Sequence, residues 1–83
     1  MTSLNTNEQN VLSAVVENIR DETGNQFGWS DDVKVDGLTK NQVKGYLSQL
    51  VQKRMIAIFK DEDRMVMLTE AGNVAAGVDF ETA

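Results

Sequence analysis

Leu38-Thr39-Lys40-Asn41-Gln42-Val43-Lys44-Gly45-Tyr46-Leu47-Ser48-Gln49-Leu50-Val51-Gln52-Lys53-Arg54-Met55-Ile56 is the stretch on which the fold turns. From Val43, the apolar residues Val43, Tyr46, Leu47, Leu50 and Val51 fall at offsets of 0, 3, 4, 7 and 8, the spacing of one helix face. Thr39 followed by Gln42 is a capping-box pattern, in which each side chain satisfies a free amide of the first turn. A helix is therefore predicted over residues 39–54, with Lys53 and Arg54 in its last turn, at the negative end of the dipole. Met55 to Lys60 and Arg64 to Leu68 are rich in Ile, Val, Phe and Met and are separated by Asp61, Glu62 and Asp63, which predicts an antiparallel hairpin over residues 55–68. Thr69 then caps a short helix running to about Ala76, with Gly77 as its stop.

Upstream, Val11, Leu12, Val15, Val16 and Ile19 form an apolar stripe, with Glu8, Asn10, Ser13, Glu17 and Arg20 on the opposite side. The first helix is placed at about residues 6–22, capped by Asn5 with Glu8 or Thr6 with Gln9, and ended at Gly24. Between the two helices, Ser30-Asp31-Asp32 resembles a helix start, while the Val33 and Val35 alternation fits a brief strand equally well. The expected fold is mainly α with a small antiparallel β-hairpin, an α+β arrangement in one domain at residues 6–77, between flexible termini at 1–5 and 78–83. This order of elements is that of a winged helix-turn-helix.

Composition narrows the chemistry. Cys and His are both absent, so the commonest zinc ligands, the thiol nucleophile and the usual neutral-pH base are missing. No nucleophile stands at a spacing that sets it beside a base, and no Gly-rich phosphate loop follows a strand, so an enzyme is not expected, nor a cofactor. Asp61, Glu62 and Asp63 lack the loop length and later Glu of an EF-hand, and no metal is expected. The polar start and the shortness of the longest apolar run, Met55 to Phe59, predict a cytoplasmic protein with no membrane partner.

Residues 38–56 resemble the recognition helix and first wing strand of the MarR-like winged-helix regulators. Asp63-Arg64, then Met65-Val66-Met67 and Leu68-Thr69-Glu70-Ala71-Gly72, is similar to their second wing strand and the turn into the next helix. The resemblance implies a small DNA-binding regulator of bacterial or phage type, in which Arg64 would reach a minor groove and Asp63 would orient it. Arg54 departs from the pattern, because such proteins often carry Gly after the recognition helix. The long flanking helices that dimerise many MarR proteins have no counterpart here.

The formal net charge of −5 opposes non-specific attraction to a polyanion. It is unevenly spread, since residues 37–60 hold Lys40, Lys44, Lys53, Arg54 and Lys60 and no acid. If the predicted helix enters a groove, Asn41, Gly45, Ser48 and Gln52 lie near the centre of its outer face, with Lys44 on a flank and Lys40 in the first turn. Lys60 and Arg64 would add phosphate contacts from the wing, completing the candidate DNA-binding set. Double-stranded DNA is the expected partner, with a homodimer joining two half-sites. The other reading is an acidic winged-helix adaptor for a protein partner that binds no DNA, which the overall charge and the acidic wing tip favour. Phe27 and Trp29 are expected to close the core, with a partner-binding anchor as the other reading, and Met65 and Met67 to pack in the sheet rather than form a sticky interface.

Overall fold

A capping box opens the first helix: Asn5 Oδ1 accepts from the Glu8 amide at 2.8 Å and Glu8 Oε1 accepts from the Asn5 amide at 3.0 Å. In the computed structural model, which describes residues 4–83, the chain runs through α1 (Thr6–Glu22), β1 (Gly28–Trp29), a 3-10 turn (Ser30–Asp32), α2 (Lys40–Gln52), β2 (Ile56–Phe59), a second 3-10 turn (Lys60–Glu62), β3 (Met65–Leu68) and α3 (Glu70–Ala76). It is a single α+β domain. Of the N-terminal segment expected to be flexible, residues 1–3 lie outside the described residues, Leu4 packs against the core and Asn5 is the cap.

The core is aliphatic. The whole stripe of α1 (Val11, Leu12, Val15, Val16, Ile19) is buried against Val43, Leu47 and Leu50 of α2 and against Ile56, Val66 and Leu68 of the sheet. Val33 and Met55, from the segments on either side of α2, complete it. Glu8 is also buried, 3% exposed, and the Lys53 ammonium lies 2.8 Å from its Oε1 and 2.7 Å from its Oε2. One carboxylate thus caps α1 and ties it to the far end of α2.

α2 begins at its Thr39–Gln42 capping box and stops two residues short of the predicted end. Lys53 is the cap and Arg54 is left-handed at φ 60°, so neither lies in the last turn. The Arg54 amide donates to the Val51 carbonyl at 3.0 Å and the Met55 amide to the Leu50 carbonyl at 2.9 Å, a Schellman closure that turns Met55 into the core. An arginine therefore occupies the left-handed position that glycine takes at less cost.

The hairpin forms with the register Ile56↔Leu68, Ala57↔Met67, Ile58↔Val66 and Phe59↔Met65. A third strand, absent from the sequence expectation, joins it: β1 pairs antiparallel with β3, giving the order β1-β3-β2. Gly28 makes this approach feasible, because a Cβ there would lie 2.2 Å from Asn18 Oδ1, which accepts from the Trp29 amide at 2.7 Å. The segment after β1 is neither the short helix nor the strand considered from sequence. It is one 3-10 turn at Ser30–Asp32, after which Val33 enters the core and Val35 packs at its edge.

Residues 78–83, expected to be flexible, are tied to the domain. Asn73 donates from Nδ2 to the Phe80 carbonyl at 2.8 Å and accepts from its amide at 3.2 Å. The Glu81 amide donates to the Asn25 carbonyl at 2.8 Å, and Ala83 to the Leu68 carbonyl at 2.9 Å, so the tail runs parallel to the end of β3 through a Leu68↔Thr82 bridge. Among the described residues no helix is long and apolar enough to cross a membrane.

Two predictions follow from the ends of α2. Hydrogen bonding to Lys53 and to the Asn5 amide holds the Glu8 carboxyl below its ordinary range, so its ionised form stabilises the fold above that range and the contribution is lost as pH falls through it. In thermal melts between about pH 7 and pH 3, Glu8→Gln is therefore less stable than the parent at neutral pH, and the gap closes on acidification. Arg54→Gly removes the left-handed penalty of a non-glycine residue and should raise unfolding stability by roughly 0.5–1 kcal/mol in urea titrations, part of the relief being offset by a looser unfolded chain.

Candidate nucleic-acid interface

Burying Val43, Leu47 and Leu50 leaves the opposite side of α2 in solvent. Lys40, Asn41, Lys44, Gly45, Ser48 and Gln52 are all exposed, and among the described residues none outside its own stretch of helix comes within 4 Å of where a Gly45 Cβ would stand. The helix thus presents an uncovered polar face with a flat spot at its centre. Asn and Gln on such a face can pair with adenine edges, Lys with guanine or phosphate, and Ser with either.

The cations are less free than a count along the sequence suggests. Lys53 faces α1 through its Glu8 pair rather than the outer side of α2. Lys40, Lys44 and Arg64 line one shallow crevice together with Asp31, Val33 and Leu47. Lys60 opens the 3-10 turn at the hairpin tip, exposed, and does not line this crevice. Three of the four cations sought on one face therefore converge.

Arg64 reaches that crevice by a local route. Ser30 donates to the Arg64 carbonyl twice, from its amide at 3.1 Å and from Oγ at 2.8 Å, pinning the 3-10 turn against the start of β3. Asp31 is thereby carried to the Arg64 side chain, its Oδ1 3.2 Å from Nε, but the N–H of Nε is not aligned on it and makes no hydrogen bond. The resemblance gave the orienting role to Asp63. In the structure the acid beside Arg64 is Asp31, while Asp63 is itself left-handed at φ 56° in the hairpin turn. This pair is separated by 33 positions and had no local sequence signal.

Acids also border the approach to α2. Asp31, Asp32 and Asp36 line an open groove of about 620 Å³ beside Lys40, with Lys34 among them. Asp61, Glu62 and Asp63 are exposed at the hairpin tip. No group of three or more acidic side chains among the described residues could hold a metal ion. For a homodimer, α1 has its apolar stripe already buried, and α3 offers Val74, 83% exposed. No family model, curated protein or solved structure matches this chain.

Gly45 separates stability from binding. It sits in the helix interior with open space around it, so Gly45→Ala should stabilise the fold by about 1 kcal/mol in urea titrations. If the flat spot admits a nucleic-acid backbone or base edge, the same substitution weakens binding while the protein becomes more stable.

Proposed function

We propose that the chain is a winged-helix DNA-binding module of the transcription-regulator kind, with α2 as its recognition helix and the β2–β3 hairpin as its wing. The observation that carries the reading is the uncovered polar face of α2, with Lys40 and Lys44 at its N-terminal half and Arg64 delivered beside them from β3. The element order and the β1-β3-β2 sheet agree with a winged-helix plan, although the element before α2 is reduced to a single 3-10 turn. A groove-bound helix would set Lys40 and Lys44 toward phosphate and Asn41, Ser48 and Gln52 toward base edges.

The acidic surroundings make non-specific affinity low, and a pair of modules on neighbouring half-sites would be needed for tight binding. Asp31 acts as a brake on this face, because it competes with phosphate for Arg64 and adds a like charge to the approach. Its removal should increase affinity.

Titration of a labelled mixed-sequence duplex at several salt concentrations tests the proposal. With Lys40, Lys44, Lys60 and Arg64 contributing, the plot of log affinity against log salt should fall with a slope of about −3 to −4, and Lys44→Ala should make it shallower by about 1. Asp31→Asn should bind more tightly than the parent. Undetectable binding at low salt would end the DNA reading and leave the adaptor reading in its place.

A further inference from the structure

The sheet has a second face that the core does not use. Direct cross-strand partners share a face and alternate residues switch sides, so the burial of Val66, Leu68 and Ile56 puts Met65, Met67, Ala57 and Phe59 on the outer side. Trp29 joins them as the partner of Met65 on β1, while its neighbour Gly28 faces α1. Phe27 stacks edge-on against Trp29 with ring centroids 5.5 Å apart. None of these six residues packs against the hydrophobic core, and Phe59 is 36% exposed.

Five of the six residues on this face, Phe27, Trp29, Ala57, Met65 and Met67, are half-buried and Phe59 is exposed. The buried core holds no aromatic residue, and three of the five aromatic side chains stand on the outer sheet face instead. Aromatics and methionines gathered on a half-exposed surface are what a binding interface concentrates.

Charge selects the occupant. The rung Trp29–Met65–Phe59 runs across all three strands, and the exposed acids Asp61, Glu62 and Asp63 stand beside it in the turn that joins Phe59 to Met65, whereas Asp31 and Asp32 line the crevice and groove beside α2. Against its three acids the turn, residues 59–63, carries only Lys60, a local net charge of −2, since Arg64 leaves toward the crevice beside α2. A second copy of the chain would bring the same acids to the contact, and nucleic acid or an anionic bilayer would be repelled. We infer that the outer sheet face, Trp29–Met65–Phe59 with Phe27, Ala57 and Met67, is a docking surface for a basic, apolar protein segment. Its apolar side chains lie over the rung and its Lys or Arg residues reach Asp61, Glu62 and Asp63 at the hairpin turn. This surface is separate from the outer face of α2.

Trp29 is the only tryptophan, so its emission reports on the surface directly. A short synthetic peptide alternating leucine and lysine is the probe, with a counterpart carrying glutamate for lysine as control. The lysine peptide should shift Trp29 emission to shorter wavelength in a saturable, salt-weakened manner, and the glutamate peptide should not. Phe59→Ser, and separately the combined Asp61→Asn, Glu62→Gln and Asp63→Asn, should each weaken the lysine peptide about tenfold with melting and circular dichroism unchanged, while Lys44→Glu leaves it unaltered. No saturable response to the lysine peptide, or an equal response to the glutamate peptide, overturns the inference. So does an emission shift caused by raising the protein concentration alone, or by vesicles of anionic phospholipid, since each names a different occupant.

Discussion

Everything in this domain is arranged around the apolar stripe of α1. Val11, Leu12, Val15, Val16 and Ile19 are all buried, and a surface that wide needs more than one neighbour to cover it. α2 covers part with Val43, Leu47 and Leu50, and the sheet covers the rest with Ile56, Val66 and Leu68. Once those residues are committed inward, the helical and strand periodicities leave no choice about what faces outward. The polar face of α2 and the apolar outer face of the sheet are two consequences of the same burial.

The Glu8–Lys53 pair fixes how α2 lies on α1, and it does so at the expense of the cationic surface. A carboxylate as little exposed as Glu8 is favoured in its charged form by a charged partner, because an unpaired one would be left poorly solvated. Lys53 supplies the partner across 45 positions of sequence, and the capping amide of Asn5 supplies another bond. The net value of such a pair for stability is modest, but its geometric demand is strong. It allows one relative placement of the N-terminus of α1 and the C-terminus of α2.

This explains what was legible in the sequence and what was not. Helix boundaries came through wherever a cap and a 3.6-residue period agreed, as at Asn5–Glu8 and Thr39–Gln42, and the hairpin came through because its two apolar runs flank an acidic turn. β1 left no trace, since two residues cannot display an alternation and Gly28 matters only for its fit against Asn18. The contacts of the tail left no trace for the same reason: Asn73 bonds to Phe80 through its side chain, which no local pattern encodes. Charge along the chain misled most. Residues 37–60 look uniformly cationic, yet Lys53 is spent inside the fold and Arg64, just beyond, meets an acid from a distant turn.

β3 is where the two candidate surfaces meet. It is the central strand, so Val66 and Leu68 enter the core while Met65 and Met67 point away from it. Arg64, immediately before Met65, leaves toward the crevice beside Lys40 and Lys44. The sharp change of direction requires the two consecutive left-handed residues Asp63 and Arg64, at φ 56° and 62°, a conformation costing roughly 1–2 kcal/mol for each non-glycine residue and somewhat less for Asp. Ser30 grips the Arg64 carbonyl from β1's side and holds the turn in that shape. The position of Arg64 beside α2 and the position of Met65 among the outer aromatics are therefore set by one backbone turn. A ligand that shifts this turn from the sheet side must also move Arg64 relative to Lys40 and Lys44.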